Sequence, residues 1–479
     1  MTLSQDACYR AFATHDARFD GRFFVGVRST GIYCRPVCTV RAPRRDNCRF
    51  YPSAAAAEAA GFRPCLRCRP ELAPGFAMVD AAARIVQAAI GLIDAGFLEE
   101  RGIEDLAGRI GVTSRHLRRV FEAELGVAPV EYAQTQRLLL AKRLLTDTSL
   151  PVTEVAFASG FASVRRLNAL FRSRYRMPPS RLRERRAATL PGTLAFALAF
   201  RPPYAWDAMQ GYLSARAIAG VEACDARSFR RTLAIPHRGV LHAGWIEARF
   251  TLRRPLVALR VSASLAHVVP LVLSRVRHAF DLGTDPQAVA QALGPLAADA
   301  PGLRIPGAFD GFELAVRAVV GQQVSVAAAT TILGRIAERF GAPLEGAPPR
   351  IRRVFPPASV VAALEPAAIA ALGMPVARAR TLVALASEVV NGLDLSPSAA
   401  PQATLERLSA IAGIGPWTVQ YVALRALGMP DAFPHTDLGV MTALSENQPA
   451  RVLARAEAWR PWRGYAAFHL WRRLARTTP

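Results

Sequence analysis

The sequence predicts a multidomain, mainly α-helical protein, and three observations lead to this fold class. A chain of 479 residues is too long for one ordinary hydrophobic core, so we expect two to four domains. Six of the seven cysteines fall within the first 68 residues and set a short N-terminal part apart. Apolar residues recur at helical spacing over residues 82–187 and again from about residue 306, with strand-like segments between these stretches.

Proline, glycine and basic runs divide the chain into four predicted domains. Residues 1–76 are predicted to form a small cysteine-rich α/β domain, and residues 82–187 an all-α domain that ends in the basic run RLRERR at 181–186. Residues 191–305 are predicted to be a small α+β domain, in which strands FALAF and RFTLRRPLVALRVSAS flank a helical YAWDAMQGYLSARAI. Residues 306–479 are predicted to form a helical bundle.

The composition points to a polyanionic partner. The formal net charge is +23, and Lys142 is the only lysine among 60 basic residues, so the charge is carried by arginine. Guanidinium groups favour bidentate contacts with phosphates and base edges. No stretch reaches the roughly 18–20 apolar residues of a membrane helix, and the N-terminus lacks a signal pattern. We therefore predict a soluble, cytoplasmic protein that binds nucleic acid and no membrane.

The cysteine spacing predicts one zinc site in the first domain. A Cys-x3-Cys pair and a later Cys-x2-Cys pair supply four thiolates for tetrahedral zinc: Cys34, Cys38, Cys65 and Cys68. The alternative, two disulfides in a small secreted module, is disfavoured in a chain without a signal pattern. Cys8 and Cys48 are interpreted as surface or core thiols.

The residues around these cysteines are GVRSTGIYCRPVC and FYPSAAAAEAAGFRPCLRCRP, and they resemble the N-terminal zinc domain of the bacterial adaptive-response (Ada) regulators. The resemblance implies that Cys34 accepts a methyl group from a methylated backbone phosphate, while Cys38, Cys65 and Cys68 are the remaining ligands. Thiolates bound to zinc stay deprotonated at neutral pH and are electron-rich. The zinc is then both structural and reactive; a purely structural zinc is the alternative.

The second domain contains two predicted helix-turn-helix units. The first is IEDLAGRIGVTSRHLRRVF, in which Thr113 or Ser114 caps the second helix. The second unit, VTEVAFASGFASVRRLNALF, follows about 50 residues later, with Gly160 at its turn and Ser163 near the next helix start. A long helix around residues 132–145 joins them. Two helices so spaced suit successive major-groove segments.

This paired arrangement, ending in FRSRYRMPPSRLR, resembles the AraC/XylS family. Residues 101–186 hold 17 Arg plus Lys against 8 Asp plus Glu, a net of +9 that favours phosphate contacts. The candidates for facing DNA are Arg115, Arg118, Arg165, Arg166 and Asn168. Each of them also has an ordinary interpretation as a solvated surface residue.

A helix-hairpin-helix is predicted in LSAIAGIGPWTVQYVALRALG, where Gly413 and Gly415 lie between two apolar helical stretches. Glycine lets the backbone approach a phosphate closely, and amides at the start of the next helix can bind it. Asp437 follows in DAFPHTDLGV, about 20 residues later. A lone carboxylate after such a hairpin is typical of the helix-hairpin-helix glycosylases.

Residues from about 190 to 479 resemble the AlkA type, 3-methyladenine DNA glycosylase II, through RPPYAWDAMQGYLSARAIAGVE, AVRAVVGQQVSVAAA and WRPWRGYAAFHLW. The resemblance implies that the target nucleotide is flipped out of the duplex. It further implies that Asp437 stabilises an oxocarbenium-like transition state and orients the attacking water, as carboxylates do in glycoside hydrolysis. A helix N-cap is the alternative role for Asp437, and the two roles are compatible.

The same resemblance assigns a base pocket to Trp417, Tyr421 and Trp471, whose rings would attract a cationic alkylated purine. Ordinary core packing is the alternative for each ring. Gln323 in VVGQQVSV stands where the family fills the gap left by the flipped nucleotide, although the AlkA prototype has an apolar residue there.

Several predictions concern what the sequence lacks. Strand-nicking relatives use a lysine, commonly at the position of Trp417, and no lysine follows Lys142, so we expect a monofunctional hydrolase. Only Cys224 lies beyond residue 68, so we expect no iron-sulfur cluster, and we expect no nucleotide cofactor. No Pro-Cys-His-Arg motif is present, so a guanine O6-methyltransferase activity is not expected.

Taken together, the motifs predict DNA alkylation repair coupled to its own regulation. Methyl transfer to Cys34 would remove negative charge at the metal site and raise affinity for promoter DNA. The expected partner is double-stranded DNA, at damaged sites and at promoter operators; RNA polymerase is a further candidate, and the chain is expected to be a monomer. One alternative is a non-enzymatic regulator that uses the glycosylase fold for binding. Another is an N-terminal half that only delivers the glycosylase to damage.

Overall fold

The computed structural model describes residues 4–73, 81–94, 96–99, 101–148, 150–182, 192–251 and 254–477. Residues 183–186 of the basic run lie outside this part of the chain. The chain folds into two compact units. The N-terminal unit comprises Met1–Pro202, Thr251–Ser274 and Leu282–Thr284, and the C-terminal unit comprises Pro203–Phe250, Arg275–Asp281 and Asp285–Pro479. None of the described helices combines the length and hydropathy needed to cross a membrane.

The cysteine-rich segment is a small sheet with two helices. Its elements are α1 (Gln5–Ala13), β1 (Phe24–Val27), β2 (Ile32–Cys34), β3 (Cys48–Tyr51), α2 (Ala54–Ala59) and β4 (Arg63–Pro64). The strand order is β3-β1-β2-β4, with β1 antiparallel to β2 and β3. β2 and β4 run parallel, with Tyr33 opposite Pro64. Because Cys34 ends β2 and Cys65 directly follows β4, this pairing brings the two cysteine pairs together.

Six α-helices follow in the described residues from 81 to 182: α3 (Ala81–Asp94), α4 (Ile103–Ile110), α5 (Ser114–Leu125), α6 (Pro129–Asp147), α7 (Val152–Ala158) and α8 (Val164–Tyr175). They form the two predicted helix-turn-helix units, α4–α5 and α7–α8, with α6 as the connecting helix. Thr113 caps α5 by accepting from the His116 amide at 3.2 Å, and Ser163 caps α8 by accepting from the Arg166 amide at 3.2 Å. The all-α prediction is confirmed.

The two second helices bury equivalent faces. Leu117, Phe121 and Leu125 are buried on α5, and the corresponding residues 50 positions later, Leu167, Phe171 and Tyr175, are buried on α8. The spacing of four residues places each set on one side of its helix. The opposite sides are therefore free to carry the arginines that the sequence analysis singled out.

Buried polar contacts join the cysteine-rich segment to α6. Lys142 on α6 donates to Glu71 over 2.7 Å, and both side chains are 2% exposed. Arg69 pairs with Asp147 at the end of α6, also over 2.7 Å. Thr135 donates to the buried carboxylate of Glu58 at 3.3 Å. A buried charge pair is costly to break, so these contacts fix the metal-binding segment on the helix that connects the two DNA-binding units.

The α+β segment contains β5 (Thr193–Ala199), α9 (Trp206–Ala215), β6 (Glu222–Cys224), β7 (Ser228–His237), β8 (Val240–Thr251), β9 (Leu256–Ser262), α10 (Val269–Ala279) and α11 (Pro286–Leu293). β5 and β9 pair antiparallel and belong to the N-terminal unit. β6, β7 and β8 form an antiparallel meander in the C-terminal unit. The strands predicted in FALAF and RFTLRRPLVALRVSAS correspond to β5, β8 and β9. The four predicted domain boundaries remain predictions.

The remainder of the C-terminal unit is helical: α12 (Gly311–Val320), α13 (Val326–Phe340), α14 (Ala358–Ala362), α15 (Pro366–Ala370), α16 (Val376–Val390), α17 (Pro401–Ser409), α18 (Pro416–Arg425), α19 (Leu438–Ala443), α20 (Pro449–Ala456) and α21 (Arg463–Thr477). α12 is buried on nearly every side, from Phe312 to Val320, and it packs against α18 and α16. α21 packs against α19, whose N-cap is Asp437. The predicted helical bundle and mainly α fold class are confirmed.

A ring of four charged side chains, three of them buried and Arg317 half-buried, fastens α12 to the meander. Arg231 pairs with Glu222 at 3.0 Å and with Glu313 at 2.7 Å, and Arg317 closes the ring with Glu222 at 2.7 Å and Glu313 at 2.6 Å. Burial acts to raise the pKa of Glu313, but the two guanidinium groups outweigh it and lower that pKa to about 2. All four side chains line the cavity described below.

Candidate functional site

The four predicted zinc ligands converge. The Sγ atoms of Cys34, Cys38, Cys65 and Cys68 all lie within 4.8 Å of one another. Four thiols at this separation match the donor set and the crowding of a tetrahedral zinc site, so the residues fit the metal. Cys8 and Cys48 lie outside this set as buried core thiols, 4% and 2% exposed. Burial raises the pKa of both thiols.

Backbone amides treat the four sulfurs unequally. The Arg35 amide donates to Cys68 Sγ at 3.3 Å, the Arg67 amide donates to Cys65 Sγ at 3.4 Å, and Cys38 accepts from the Val40 amide. Within the described residues, no amide donates to Cys34 Sγ. Hydrogen bonds to a thiolate stabilise its charge and lower its nucleophilicity. Cys68 is the most exposed of the four sulfurs.

The residue after Cys34 anchors the cluster. Arg35 is 5% exposed, forms an ion pair with buried Asp20 and donates to the Cys68 carbonyl oxygen at 3.0 Å. One guanidinium group therefore ties the first cysteine pair to the second. It also places a fixed positive charge beside the four sulfurs, which would offset part of the charge of zinc-bound thiolates.

The predicted DNA-facing residues lie on α5 and α8, away from the buried faces of these helices. Four are exposed and the fifth is half-buried: Arg115, Arg118, Arg165, Arg166 and Asn168. The Arg118 guanidinium group lies 3.8 Å from the Glu104 carboxylate within the first helix-turn-helix unit, and both side chains are more than half exposed. Such an exposed pair contributes little stability, so Arg118 is available to another anion.

Asp437 is the N-cap of α19 and the meeting point of two tryptophans. Its Oδ1 accepts from the Val440 amide at 2.8 Å and from Trp471 Nε1 at 2.7 Å, while Oδ2 accepts from Trp417 Nε1 at 2.7 Å. The two alternative roles considered for Asp437 thus coexist in geometry. Three N–H groups hold the carboxylate in one orientation and leave its remaining lone pairs for other partners.

The same residues border a cavity of about 730 Å³ within the C-terminal unit. This volume lies in the range of about 300–1,000 Å³ that small-molecule sites occupy. The Trp417 and Tyr421 rings stack 5.0 Å apart at 16°, and Trp471 lies 6.4 Å from Tyr421 at 55°. The three predicted pocket aromatics therefore form one wall of the cavity, with Asp437 beside it.

The polar layer behind this wall was not predicted from the sequence. The hydroxyl of Tyr212 on α9 lies 2.9 Å from the hydroxyl of Tyr421, and Arg425 donates to the same Tyr421 oxygen. Burial acts to raise the pKa of Tyr421, but the charge of Arg425 outweighs it and the pKa is lowered. Burial raises the pKa of Tyr212 to about 12. The α9 segment was predicted as a helix, but no local pattern indicated that it faces the cavity.

The predicted hairpin lies between α17 and α18. Gly413 has φ of +88°, a conformation that favours glycine, and Gly415 is the N-cap of α18, where Pro416 occupies the first turn. Both glycines are exposed, as a phosphate-binding turn requires. Gln323 is exposed in the loop between α12 and α13 and has φ of +56°.

Comparisons with known proteins cover all parts of the chain. Four family models match: the metal binding domain of Ada at residues 7–71, a helix-turn-helix domain at 106–185, the AlkA N-terminal domain at 195–310, and the HhH-GPD superfamily of base excision DNA repair proteins at 316–462. The chain shares the fold of the solved 3-methyladenine DNA-glycosylase from Archaeoglobus fulgidus, with a TM-score of 0.51 and 19% identity over 59% of this chain and 99% of that one.

Two relatives define the family. The chain is 38% identical to the probable bifunctional transcriptional activator/DNA repair enzyme AlkA of Mycobacterium tuberculosis, over 98% of this chain and 96% of the relative. It is 39% identical to DNA-3-methyladenine glycosylase 2 of Escherichia coli, over 58% of this chain and 96% of the relative. Fold and sites define the class as a helix-hairpin-helix base-excision protein joined to an Ada-type metal-binding and helix-turn-helix half. The chain belongs to the AlkA family, in the form fused to an Ada-type N-terminal half.

Proposed function

We propose that this protein excises 3-methyladenine-type bases from DNA by hydrolysis of the N-glycosidic bond, and that its N-terminal half senses methylated phosphates and binds promoter DNA. One observation carries the enzymatic part of the proposal. The carboxylate of Asp437, held by two indole N–H groups and a helix amide, borders a cavity walled by stacked aromatic rings. A binding-only module has no chemical need for an oriented carboxylate at this position.

Excision assigns distinct tasks to the groups around the cavity. The flipped base stacks against Trp417 and Tyr421, and each aromatic face attracts a cationic base by about 0.5–2 kcal/mol. As the bond from the sugar to the base breaks, the electron pair leaves with the base and positive charge develops on the sugar. Asp437 stabilises that charge and orients a water molecule, whose oxygen bonds to the anomeric carbon as one of its protons passes to the Asp437 carboxylate. Trp417 and Trp471 keep the carboxylate aimed through their N–H groups.

The DNA strand is held beside this pocket by two segments. They are the hairpin turn between α17 and α18 and the loop of residues 321–325 between α12 and α13, which we call the wedge loop. Amides of the turn at Gly413 and Gly415 bind a phosphate of the damaged strand, because the start of α18 carries positive partial charge. Gln323 enters the space that the flipped nucleotide leaves in the duplex. Its exposed position at a loop tip supports this role.

The N-terminal half carries the second reaction. Zinc, when bound, keeps the four thiolates deprotonated. A lone pair of Cys34 Sγ attacks the methyl carbon of a methylphosphotriester; the C–S bond forms, the C–O bond breaks, and its electrons restore the anionic phosphodiester. The absence of an amide donor at Cys34 supports the assignment of this residue as the acceptor.

Sequence-specific binding is assigned to the arginines of α5 and α8. Their exposure supports phosphate and base contacts in the major groove. Methylation of Cys34 removes one negative charge near the DNA and thereby raises promoter affinity. We also retain a monomeric state, a cytoplasmic location and a contact with RNA polymerase as predictions.

The decisive experiment compares base release by the wild type and by Asp437→Asn. Asparagine retains an oxygen for the Val440 amide, so the cap and the fold persist while the negative charge is lost. With methylated duplex DNA at matched occupancy, we expect release of 3-methyladenine to fall by roughly 10³-fold or more. Wild-type product should be alkali-labile but unbroken at the abasic site. If the wild type releases no base, the binding-only regulator is correct.

The methyl acceptor is tested separately with DNA that carries methylphosphotriesters. Mass spectrometry of the wild type is expected to place one methyl group on the peptide containing Cys34. A methyl group on Cys68, the more exposed sulfur, would overturn the assignment. Promoter affinity that does not change after quantitative methylation would refute the switch and favour delivery of the glycosylase to damage as the role of the N-terminal half.

A further inference from the structure

Gln322 connects two segments that the proposed mechanism uses separately. Its side-chain Nε2 donates to the carbonyl oxygen of Gly413 at 3.0 Å and to Thr418 Oγ1 at 3.1 Å. Gly413 is the turn of the hairpin that grips a phosphate, and Thr418 is a 1% exposed residue in the first turns of α18. Gln322 itself precedes Gln323, the proposed gap-filling residue. One amide group therefore links the wedge loop to the phosphate-binding turn.

The loop around Gln322 is short and braced at two points. It runs from the end of α12 at Val320 to Ser325, whose hydroxyl caps α13 by accepting from the Ala328 amide at 3.2 Å. Between these ends, Gln322 is half-buried and Gln323 is exposed. Gln323 has φ of +56°, a left-handed conformation that a non-glycine residue seldom adopts unless its surroundings impose it. The hydrogen bonds of Gln322 supply such a constraint one residue away.

The hairpin turn is held from the inside in a matching way. Thr381 on α16 donates to the Ala412 carbonyl oxygen at 2.9 Å, and Gln322 takes the next carbonyl oxygen, that of Gly413. Because N–H and C=O point in opposite directions across a trans peptide, the inward Ala412 carbonyl turns the Gly413 amide outward. The Gly413 amide is thus left facing outward, where we place the phosphate, while the carbonyl oxygens of Ala412 and Gly413 are tied to α16 and to the wedge loop.

We propose that Gln322 is a positioning residue that keeps Gln323 in register with the hairpin turn, so that gap filling and phosphate binding act as one unit during base flipping. The inference rests on the proposed glycosylase function and on the gap-filling role of Gln323. A loop that is already ordered loses less conformational freedom when it enters the duplex. The effect of Gln322 should therefore appear only where a base pair has to be opened and its gap filled.

The test uses Gln322→Met in the full chain, because methionine matches the length of glutamine but cannot donate to either oxygen. The substrate is a duplex oligonucleotide with one 7-methylguanine, placed opposite cytosine or opposite an abasic site. Single-turnover excision is expected to slow about tenfold opposite cytosine, the equivalent of one hydrogen bond. Opposite an abasic site, where no pair has to be opened, the rate should stay within about twofold. Gln402→Met, an exposed glutamine on α17, is the matched control and should match the wild type on both substrates.

A double variant separates coupling from independent effects. If Gln322 acts through Gln323, Gln322→Met combined with Gln323→Ala should be no slower than Gln323→Ala alone. Equal slowing on both substrates, or multiplied losses in the double variant, would overturn the positioning role. An unchanged rate for Gln322→Met alone, with Gln323→Ala slowed, would also overturn it and leave gap filling intact. An unchanged rate for Gln323→Ala opposite cytosine would instead overturn gap filling, while loss of release in Asp437→Asn still supports excision.

Discussion

The cysteine cluster and the base pocket are assembled in different ways. The cluster takes its four sulfurs from two short segments, Cys34–Cys38 and Cys65–Cys68, that neighbouring strands bring together. The pocket combines a carboxylate with rings from α9, α18 and α21, so its members range from Tyr212 to Trp471 along the chain. The small sheet around the cluster depends on the four cysteines for its stability. The pocket, in contrast, lines a helical unit that apolar packing stabilises.

This difference separates folding from chemistry. A zinc ligand holds its own small sheet together, so its loss should remove fold and reactivity at once. The pocket lies beside the large apolar cluster around α12, α16 and α18, and Asp437 contacts Val440 and Trp471, which pack in a second apolar cluster. Loss of the Asp437 carboxylate should therefore remove base excision and leave the fold intact.

Cys38→Ser should have the largest effect. Structural zinc sites contribute about 10–16 kcal/mol, far more than a small sheet can replace. We expect loss of the zinc and of amide protection in β1–β4, measured by metal analysis and hydrogen-exchange mass spectrometry. Base release from methylated DNA should persist, because the pocket lies in the other unit. One zinc per chain with intact protection in the variant would show that the cluster does not depend on its ligands.

Opposite responses to pH should distinguish the two units. Burial raises the pKa of Glu58 in the N-terminal unit from 4.5 to about 7, outweighing donation from Tyr33 and Thr135 and the charges of Arg174 and Lys142. Because the folded state binds this proton more tightly than the unfolded state does, the carboxyl group stabilises the fold below pH 4.5. This contribution to the free energy of unfolding is lost as the pH rises through 7. The effect is about 3 kcal/mol between pH 4.5 and 7. Glu58→Gln should flatten it.

His278 in the C-terminal unit should give the opposite dependence of stability on pH. Burial lowers its pKa from 6.5 to about 4, while its Nε2 donates to the Arg425 carbonyl oxygen at 2.9 Å and the Arg425 charge lowers the pKa further. Neutral His278 therefore makes its full contribution to the free energy of unfolding above pH 6.5. About 3 kcal/mol of this contribution is lost as the pH drops toward 4. Hydrogen exchange of the full chain from pH 4.5 to 7 should show protection falling in one unit and rising in the other. Parallel trends would contradict the assignment of these two groups.

Trp417→Phe should have a smaller, purely catalytic effect. Phenylalanine keeps an aromatic face for the base but removes the N–H that donates to Asp437 Oδ2. A hydrogen bond to a charged group contributes about 1.5–3 kcal/mol, so kcat should fall roughly 10- to 100-fold with little change in KM. Trp459→Phe, which removes an indole N–H from a residue that does not line the cavity, is the control. A change confined to KM would mean that the indole serves binding alone.

Gly439→Ala should have the smallest effect. A Cβ at this position would lie 3.0 Å from Asp437 Oδ1 and 3.2 Å from Trp471 Cδ1, so both groups would have to shift by a few tenths of an ångström. Overpacking of this size costs about 1 kcal/mol, which corresponds to a roughly fivefold lower kcat. The unfolding temperature should hardly change. A rate loss as large as that of Trp417→Phe would show that the carboxylate tolerates no displacement.

The sequence was most informative where structure is set locally. The two helix-turn-helix units were predicted from their repeat, their turn glycines and their caps, and the cysteine spacing indicated the cluster. Asp437 and the three pocket aromatics were located by family resemblance, and the structure brings them together; their roles remain predictions. The fold class and the family are confirmed.

The features that were missed depend on contacts distant in sequence. An indole is apolar in its ring and polar at one atom, so the sequence predicted stacking for Trp417 and gave no direction for its N–H. The strands β6 and β7 were not predicted. The turn between β7 and β8 places Arg238 and Gly239 at positive φ, and a hairpin signal is weak when arginine replaces the usual asparagine or aspartate. Gln322 had no local signal, because its partners lie about 90 residues later.

The buried pair of Lys142 and Glu71 gives the chain an unusual chemical property. Lys142 is the only lysine in the sequence and is 1% exposed where the cysteine-rich segment meets α6. Apart from the α-amino group, an amine-reactive label therefore finds no target on the folded protein. The rate at which a label modifies Lys142 is a direct measure of how often this junction opens. The same measurement before and after methylation of the cluster would tell whether methylation weakens the contact between the cysteine-rich segment and α6 or changes only the charge of the cluster.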